Sequence, residues 1–287
     1  MIHREYEWIS ADNKKIYGQS WQPEGDTRGV LIIVHGLGEH SGRYKRWASL
    51  FAQNGVAVLS QDMIGNGRSE GKHGHIRNYQ KLIDQVDFII SKSQELFPGL
   101  PVILYGHSWG GTLAANYAMS KDPALQAVII SAPWLKLMVK IPWHLTFLSK
   151  ILTPVLPSLV INNNAKSGNR CHDPVINEEA KIDPLIHRAI SLRMFQITME
   201  QGLFAMKNVY KINRPFLIMH GSGDTTTSHS ASEEMARNTS PSTTVKIWDG
   251  LYHELHSEYE YQEIFSYVMD WLLQMKILTP VQAKATT

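Results

Sequence analysis

The sequence has one cysteine, little net charge and no long apolar run. Because Cys171 has no second cysteine to pair with, an internal disulfide is excluded, as is usual in reducing compartments. The formal net charge is +2 and no block of lysines or arginines occurs, so the composition predicts no nucleic-acid partner. No stretch approaches the roughly 18 apolar residues of a membrane span, and the first residues lack a secretory signal. We therefore expect a cytoplasmic protein.

Short apolar runs alternate with longer helical patterns along most of the 287 residues. Two amphipathic segments, around 3–9 and 15–21, flank a polar A-D-N-K turn and predict an antiparallel hairpin. Six further apolar runs predict strands: Val30–Val34, Val56–Ser60, Val102–Tyr105, Ala127–Ile130, Pro215–Met219 and Val245–Trp248. Strands that alternate with helices indicate parallel units wound by right-handed crossovers into one open sheet. We predict an α/β fold with a mostly parallel central sheet flanked by helices.

One region interrupts this alternation. From 133 to 213 no buried strand is evident, the segment is rich in Pro, Trp, Leu and Met, and its patterns are helical. It is too long to be a loop between two strands of a compact domain. We interpret it as a helical cap, so that 1–132 and 214–287 form the first and second parts of the core.

A five-residue motif, Gly106 to Gly110 (G-H-S-W-G), fits G-x-S-x-G. The strand V-I-L-Y precedes it and the helical T-L-A-A-N-Y-A follows it, which is the context of the nucleophile elbow in α/β-hydrolases. Such a turn projects the serine hydroxyl at the top of the sheet, at a helix N-terminus that favours negative charge. We predict that Ser108 is a nucleophile in an α/β-hydrolase fold. The alternative is a helix-capping serine among packing glycines.

A carboxylate should follow the serine in this fold, on a loop after a later strand. Asp224 comes directly after the strand P-F-L-I-M and is our candidate for the residue that orients the base. A turn aspartate that caps the next helix is the alternative. Asp173 and Asp183 compete less well because they lie in the predicted cap, and Asp249 because it lies close to the candidate histidine.

A histidine should follow the acid, since a serine hydroxyl needs a base to take its proton. His253 follows the strand V-K-I-W, and His256 comes three residues later, where we expect the first turn of the last helix. We favour His253 as general base, and an ordinary surface histidine is the alternative for both. His220 and His229 flank Asp224 and are expected to be structural or solvent-facing.

An acyl-transfer site also needs two donors directed at the developing oxyanion. One should be the backbone N–H of Trp109, and the other that of Leu37 in the H-G-L-G segment after the third strand. A tight turn that needs glycine is the alternative for this segment. We predict that Leu37, Trp109 and Trp134 bind the substrate.

Several segments together resemble monoacylglycerol lipases. Residues 35–44 (H-G-L-G-E-H-S-G-R-Y) resemble the signature after their third strand, and 62–71 (D-M-I-G-N-G-R-S-E-G) resemble their D-x-x-G-H-G-x-S-x-G. Residues 106–111 resemble G-H-S-M-G-G, 183–185 (D-P-L) the last part of their cap, and 250–254 the G-x-Y-H-E/V around their catalytic histidine. The resemblance runs over nearly the whole chain.

The resemblance implies a serine carboxylic ester hydrolase that releases a fatty acid and glycerol through an acyl-enzyme. It implies a triad of Ser108, Asp224 and His253 and an oxyanion hole formed by Leu37 and Trp109. No metal-ligand cluster and no nucleotide-binding loop is visible in the sequence, so we expect no metal and no cofactor. The partner is expected to be a lipid or a small ester, and the oligomeric state is not predicted.

Three features depart from the family pattern. Trp109 replaces the usual methionine, a form also found in proline iminopeptidases, although their H-G-G-P-G element is absent here. Asn66 replaces the usual histidine, and the T-T-T-S-H-S after Asp224 lacks the usual apolar and proline content. A lysophospholipase, a general carboxylesterase, an aminopeptidase and a non-catalytic ligand receptor therefore remain alternatives.

The predicted cap has a one-sided charge distribution, with no Asp or Glu between Asp122 and Asp173. Its basic residues in that stretch are Lys136, Lys140, Lys150, Lys166 and Arg170. Apolar residues interleaved with the early lysines, from Trp134 to Leu148, indicate an apolar helix. Such a helix either makes a transient contact with a membrane surface and passes lipid to the site, or packs its apolar stripe on the core.

Overall fold

We describe the protein from a computed structural model, which covers residues 1–121, 125–162, 169–239 and 242–280. The strands are β1 (Ile2–Ile9), β2 (Lys15–Gln22), β3 (Gly29–Val34), β4 (Val56–Gln61), β5 (Val102–His107), β6 (Leu125–Ser131), β7 (Val160–Asn162), β8 (Ala189–Ser191), β9 (Phe216–Gly221) and β10 (Thr243–Trp248). The helices are α1 (Lys45–Gln53), α2 (Gln80–Leu96), α3 (Trp109–Ser120), α4 (Trp143–Leu152), α5 (Pro174–Ile182), α6 (Leu192–Asn208), α7 (His229–Ala236) and α8 (Tyr261–Gln274).

One eight-stranded sheet organises the fold, in the order β1-β2-β4-β3-β5-β6-β9-β10. β1 and β2 form the predicted antiparallel hairpin, in which Ile2 pairs with Gln22 and Ile9 with Lys15. β2 is antiparallel to β4, and every later neighbour in the sheet is parallel. The predicted α/β-hydrolase fold with a mostly parallel sheet is confirmed.

The central strands are buried on both faces, as their continuous apolar runs predict. In β3, Val30 and Ile32 face one apolar cluster, together with side chains of α2, α3 and α6. Leu31 and Ile33 face the other, together with side chains of α1 and α8. Because successive side chains of a strand point to opposite faces, a strand covered by helices on both sides must be apolar at every position.

The chain between β6 and β9 differs from the expectation in its secondary structure. Two short strands, β7 and β8, pair antiparallel within it, although the sequence predicted only helices. Strands of three residues are too short to produce a periodic pattern. The boundaries of the cap remain a prediction. One of the basic residues assigned to it, Lys166, lies outside the described residues.

The predicted apolar helix from Trp134 to Leu148 is wrong in its first half, because α4 begins only at Trp143. The backbone before it pairs with the loop after β9: Leu137 forms a bridge with Thr227, and the Met138 amide donates to the Thr226 carbonyl at 3.0 Å. Pro142 lacks an amide hydrogen and disfavours a helical conformation in the preceding residue, so a helix can begin after it but not run through it.

Candidate active site

The sharp turn between β5 and α3 holds Ser108 in an unusual backbone conformation, with φ of 55° and ψ of −121°. Positive φ in a residue other than glycine stores strain, which is typical of functional sites. A Cβ on Gly106 would lie 2.3 Å from the Gly110 carbonyl oxygen, and one on Gly110 would lie 2.3 Å from that of Val34. The two glycines are therefore needed for close backbone packing. The Ser108 hydroxyl makes no capping bond to α3, which argues against the capping alternative.

The structure brings together the three side chains predicted as a triad. Ser108 Oγ lies 3.0 Å from His253 Nε2, and His253 Nδ1 lies 2.7 Å from Asp224 Oδ2. All three are buried, with exposed fractions of 7%, 6% and 2% for the serine, histidine and aspartate. They follow β5, β10 and β9, so the carboxyl ends of parallel strands place them at one edge of the sheet.

The competing aspartates have other partners. Asp173 caps α5 by accepting from the Val175 amide, and Asp183 pairs with His40 Nε2 at 2.8 Å. Asp249 accepts a hydrogen bond from the Ser222 hydroxyl. None of these three carboxylates touches His253 in the described part of the chain.

Asp224 lies in a dense set of hydrogen-bond donors. Its Oδ1 accepts from the backbone amides of Thr226 and Thr227, and its Oδ2 lies 3.0 Å from His220 Nε2. Burial alone would raise the pKa of Asp224, but the charge of His253 and the hydrogen bonds of both histidines outweigh it and hold that pKa well below its usual value. Asp224 is therefore ionised at neutral pH.

His256, the alternative to His253, makes no hydrogen bond to Ser108 or Asp224 in the described residues. It lies in a single 3-10 turn, Leu255–Ser257, and not in α8 as expected, and it is buried rather than on the surface. Its ring stacks on that of Tyr44 with 4.6 Å between centroids. Burial lowers the pKa of His256 to about 4, so the ring is neutral at neutral pH.

Buried side chains anchor the loop that follows β3. His35 donates from Nδ1 to the Gly36 carbonyl at 2.7 Å and accepts from the Met63 amide at Nε2, which fixes one tautomer. Burial lowers the pKa of His35, in keeping with a neutral ring. Glu39 Oε1 accepts from the Gly36 amide and from the Tyr44 hydroxyl. Hydrogen bonds to both the carbonyl and the amide of Gly36 therefore hold the loop that carries Leu37.

The two predicted oxyanion donors are backbone amides without an internal partner. The Leu37 amide makes no hydrogen bond to any of the described residues. Trp109 is the first residue of α3, where an amide has no partner within the helix. The Trp109 indole packs in the main core, whereas Leu37 and Trp134 line the cavity at Ser108. The Trp109 side chain therefore does not line this cavity, and the prediction that stays is that its backbone amide donates to the oxyanion.

Asn66, which replaces the usual histidine of the family pattern, satisfies the hydrogen-bonding groups around it. Its amide nitrogen lies 3.2 Å from each of the Met63 and Ile64 carbonyls, and its Oδ1 accepts from the Gly38 amide at 3.1 Å. Oδ1 also lies 3.1 Å from His187 Nε2. A carboxamide both donates and accepts, so one side chain joins the loop after β4 to the loop after β3.

A buried ionic cluster, which no sequence motif indicates, lies beside His253. Arg43 Nη2 lies 2.5 Å from Glu254 and its Nε lies 3.2 Å from Glu39, while Arg170 lies 3.1 Å from Glu254. Burial alone would raise the pKa of Glu254, but the two guanidinium charges outweigh it and hold that pKa low. The partners are separated by up to 211 positions, so no local pattern indicates the pairing.

The cavity at Ser108 has a volume of about 150 Å³ and is lined by both apolar and charged side chains. Ligand pockets usually enclose roughly 300–1,000 Å³, so this cavity is too small to enclose a whole lipid. Among the residues that the structure describes, no group of His, Cys, Asp or Glu is arranged to hold a metal ion.

Comparison with known proteins places the chain among hydrolases. The Hydrolase_4 family, described as "Serine aminopeptidase, S33", matches residues 25–260. Human monoglyceride lipase is 30% identical over 259 residues, which cover 87% of this chain and 83% of that protein. Phospholipase YtpA of Bacillus subtilis is 30% identical over 241 residues, covering 82% and 92%. The chain spans 28% of the length of a Dictyostelium discoideum abhydrolase domain-containing protein, with 30% identity over 268 residues.

A solved structure gives the same result. The crystal structure of Paleococcus ferrophilus monoacylglycerol lipase matches with a TM-score of 0.82 and 29% identity, covering 91% of this chain and 99% of that chain. The resemblance predicted from the motifs is thereby confirmed. The chain belongs to the Hydrolase_4 family, as a monoglyceride lipase-like α/β-hydrolase that acts on esters.

Proposed function

We propose that this protein is a serine hydrolase of lipid carboxylic esters and that monoacylglycerols are its substrate class. The observation that carries the proposal is the hydrogen-bonded series from Ser108 Oγ through His253 to Asp224, next to two backbone amides available to an oxyanion. Nucleophile, base and orienting acid are the three parts that acyl transfer through a serine requires.

Acylation begins with His253 neutral and its Nδ1–H donated to Asp224. Nε2 takes the proton of Ser108 as Oγ attacks the ester carbonyl, and the amides of Leu37 and Trp109 donate to the resulting oxyanion. The imidazolium, stabilised by the carboxylate, then gives its proton to the departing alcohol. The carbon–oxygen bond to the alcohol breaks, and the acyl group stays on the serine.

Deacylation reverses these roles. With the alcohol gone, a water molecule gives its proton to His253 Nε2 and attacks the acyl carbonyl, and the same two amides stabilise the second oxyanion. The imidazolium returns the proton to Ser108 Oγ as the acyl–oxygen bond breaks. The products are a fatty acid and the starting enzyme.

A second cavity, which shares no lining residue with the cavity at Ser108, offers apolar surface on which an acyl chain could lie. It has a volume of about 400 Å³ and lies between α4 and α6. Half of its twelve lining residues are apolar, among them Leu137, Ile141, Phe195, Met199 and Leu203, and the other half are polar or charged. Burial of an acyl chain is non-directional and contributes roughly 0.8 kcal/mol per methylene. An apolar surface of this kind accepts chains of different lengths.

A lysophospholipid is the second candidate substrate, because of Arg188. This exposed arginine lines the cavity at Ser108 and has no hydrogen bond or ion pair with the described residues. A guanidinium without a carboxylate partner favours an anionic group on the alcohol side of the ester. The similarity to a phospholipase of Bacillus subtilis also supports this candidate.

Aminopeptidase activity is the weakest of the enzymatic alternatives. Such an enzyme needs a free carboxylate for the substrate's α-ammonium group. The carboxylates that line the cavity in the described part of the chain belong to Glu39 and Glu254, and both are paired with Arg43. A cationic substrate group would have to compete with buried guanidinium groups.

We also propose that α4 contacts lipid surfaces. Trp143, Phe147 and Ile151 are 79%, 59% and 55% exposed and follow each other at four-residue spacing, which places them on one face of the helix. Lys150 lies close to this face, and no acidic residue occurs from 125 to 162. An exposed apolar face with a basic flank fits a membrane–water interface. Within the described ranges, no helix has the length and apolar character to cross a bilayer.

A fluorophosphonate probe and an ester panel test the proposal. We expect the probe to label wild-type protein and Ser49→Ala, a control on α1, but not Ser108→Ala, whose melting temperature should stay close to that of wild type. The panel contains a monoacylglycerol, a lysophosphatidylglycerol, a p-nitrophenyl ester and an aminoacyl amide, and the monoacylglycerol should be hydrolysed fastest. An unlabelled wild-type protein would favour a non-catalytic receptor, and preference for another panel member would replace the substrate class.

A further inference from the structure

The carboxylate of Asp224 contacts two imidazole rings. His253 Nδ1 is 2.7 Å and His220 Nε2 is 3.0 Å from the same oxygen, Oδ2. His220 is fully buried near the end of β9, and the proton transfers described above do not use it. A buried ionisable ring in contact with the candidate acid needs a physical explanation.

The partners of His220 fix its tautomer. Asp224 is ionised and can only accept, so His220 Nε2 must carry the hydrogen. Its other nitrogen, Nδ1, lies 2.8 Å from the Ser232 hydroxyl on α7, which donates to it if the ring is neutral. Burial lowers the pKa of His220, although its hydrogen bond to Asp224 acts in the opposite direction. The ring is therefore neutral, with the hydrogen on Nε2.

Thr227 is a less constrained donor to the same carboxylate. Its hydroxyl lies 2.9 Å from Asp224 Oδ2 and 3.1 Å from the Ala132 carbonyl oxygen, and its single proton can serve one of them at a time. The Nε2 hydrogen of His220 has Asp224 as its nearest acceptor, because Thr227 Oγ1 is 3.3 Å away. His220 is thus the second imidazole, besides that of His253, that holds Oδ2 of Asp224.

In the described residues, the other ionisable groups near Asp224 and His253 are two histidines and the ionic cluster beside His253, which contains Glu39, Glu254, Arg43 and Arg170. His229, from α7, stands edge-on to His220 with 6.4 Å between centroids. His107, from β5, lies 4.8 Å from the ring of His253, and burial keeps the pKa of His107 well below its usual value. A change at His220 therefore acts on His253 chiefly through Asp224.

We propose that His220 is a positioning residue that orients Asp224 toward His253 and withdraws part of the carboxylate's charge through a neutral N–H···O⁻ hydrogen bond. Ser232 supports this role by fixing the tautomer of His220. The inference rests on the proposed roles of Ser108, Asp224 and His253 for its kinetic readout, but not for its spectroscopic one.

The kinetic test compares His220→Met with His220→Gln in the full-length protein, by the pH profile of kcat/KM on a short p-nitrophenyl ester. Methionine removes the donor, so we expect kcat to fall roughly ten-fold or more. The carboxylate then shares its charge with fewer donors and attracts the imidazolium more strongly, so the low-pH midpoint of the profile should rise. Glutamine keeps an N–H donor, so His220→Gln should retain most of the wild-type kcat and a midpoint close to that of wild type. Ser232→Ala should shift the midpoint in the same direction by less.

Equal losses in the methionine and glutamine variants, with an unchanged midpoint, would show that His220 only fills space. A midpoint that falls in His220→Met would show that Asp224 has moved away from His253, and would contradict the charge-sharing part of the proposal. If the methionine variant does not fold, as judged by circular dichroism, two other measurements decide. An unchanged midpoint in Ser232→Ala would overturn the role of Ser232, and a kcat of His220→Gln far below that of wild type, together with a His220 ring that is cationic or protonated on Nδ1, would overturn the role of His220.

The spectroscopic test needs no activity. In protein with ¹⁵N-labelled histidine, the His220 signals, assigned by their absence in His220→Gln, should report a neutral ring with its hydrogen on Nε2 at pH 7. A cationic ring, or a hydrogen on Nδ1, would overturn the inference. Inactive wild-type protein with the expected His220 signals would instead contradict the proposed function and leave the hydrogen-bond assignment intact.

Discussion

The guanidinium of Arg170 lies 3.1 Å from the carboxylate of Glu254, the residue that follows His253. The backbones of the same two residues are also joined, since the Glu254 amide donates to the Arg170 carbonyl at 2.8 Å. Arg170 belongs to the segment inserted between β6 and β9, and Glu254 to the loop after β10. These two hydrogen bonds, with those of His172 to Glu258, attach the inserted segment to the chain that follows β10 and carries the candidate base.

Arg170→Gln should weaken both stability and turnover. The substitution leaves Glu254 buried with Arg43 as its remaining cationic partner, and an imperfectly paired buried charge destabilises a protein by about 1–3 kcal/mol. The His253 loop should also become less well ordered, which lowers kcat/KM. Urea unfolding and ester hydrolysis measure the two effects.

Lys181→Gln is the matched control for this prediction. Lys181 pairs with Glu178 on the surface of α5, and exposed pairs contribute about 0–1 kcal/mol. If both variants lose the same stability, the pair formed by Arg170 has no special role in attaching the inserted segment.

Asp224→Asn should lower kcat by about 10⁴-fold, because the amide no longer selects the tautomer of His253 that accepts the serine proton. Asp249→Asn is the control, since Asp249 follows the neighbouring strand and accepts only from Ser222 in the described residues. Steady-state kinetics on a soluble ester measure kcat for the two variants. A larger loss in Asp249→Asn would mean that the acid has been assigned to the wrong loop.

The features predicted from sequence are those encoded locally. The run Val30–Val34 predicts a doubly covered strand because every one of its residues must be apolar there. Ser108, Asp224 and His253 could be chosen because each follows a predicted strand, and parallel strands end at the same edge of the sheet. Their proximity in the structure follows from topology rather than from any pairwise signal.

What the sequence did not predict depends on contacts between distant segments. The stretch before α4 contains helix-forming residues, but its backbone pairs with Thr226 and Thr227, about ninety positions away, and tertiary pairing overrides propensity. The contact of His220 with Asp224 was missed for a different reason. The two are four positions apart, but a strand end and a turn place them together only in the folded chain.

The pH dependence of stability should decrease in His256→Phe. Burial lowers the pKa of His256 to about 4 from an ordinary 6.5, so between these values the unfolded chain binds a proton that the native state does not. Stability contributed by the neutral ring is therefore present above pH 6.5 and is lost as the pH falls toward 4, by on the order of 3 kcal/mol. Phenylalanine does not titrate and can keep the stacking on Tyr44.

Urea unfolding at pH 7, 6 and 5 measures this effect, because the difference between wild type and variant removes the contribution of other groups. His144→Gln, at an exposed position on α4, should keep the wild-type slope. A slope in His256→Phe equal to that of wild type would show that protonation of His256 does not oppose folding.

Trp143→Ser combined with Phe147→Ser should reduce association with lipid vesicles and leave hydrolysis of a water-soluble ester unchanged. Both side chains project from α4 into solvent, so their loss removes apolar area from the helix face and nothing from the site at Ser108. Co-sedimentation with vesicles of phosphatidylcholine, with and without phosphatidylglycerol, measures binding, and the anionic lipid should strengthen it if Lys150 contributes. Ile9→Thr, which removes an exposed apolar side chain from β1, should bind like wild type. Undiminished binding of the double variant would place the lipid contact on another surface, and a parallel loss of soluble-ester activity would mean that α4 supports the catalytic site instead.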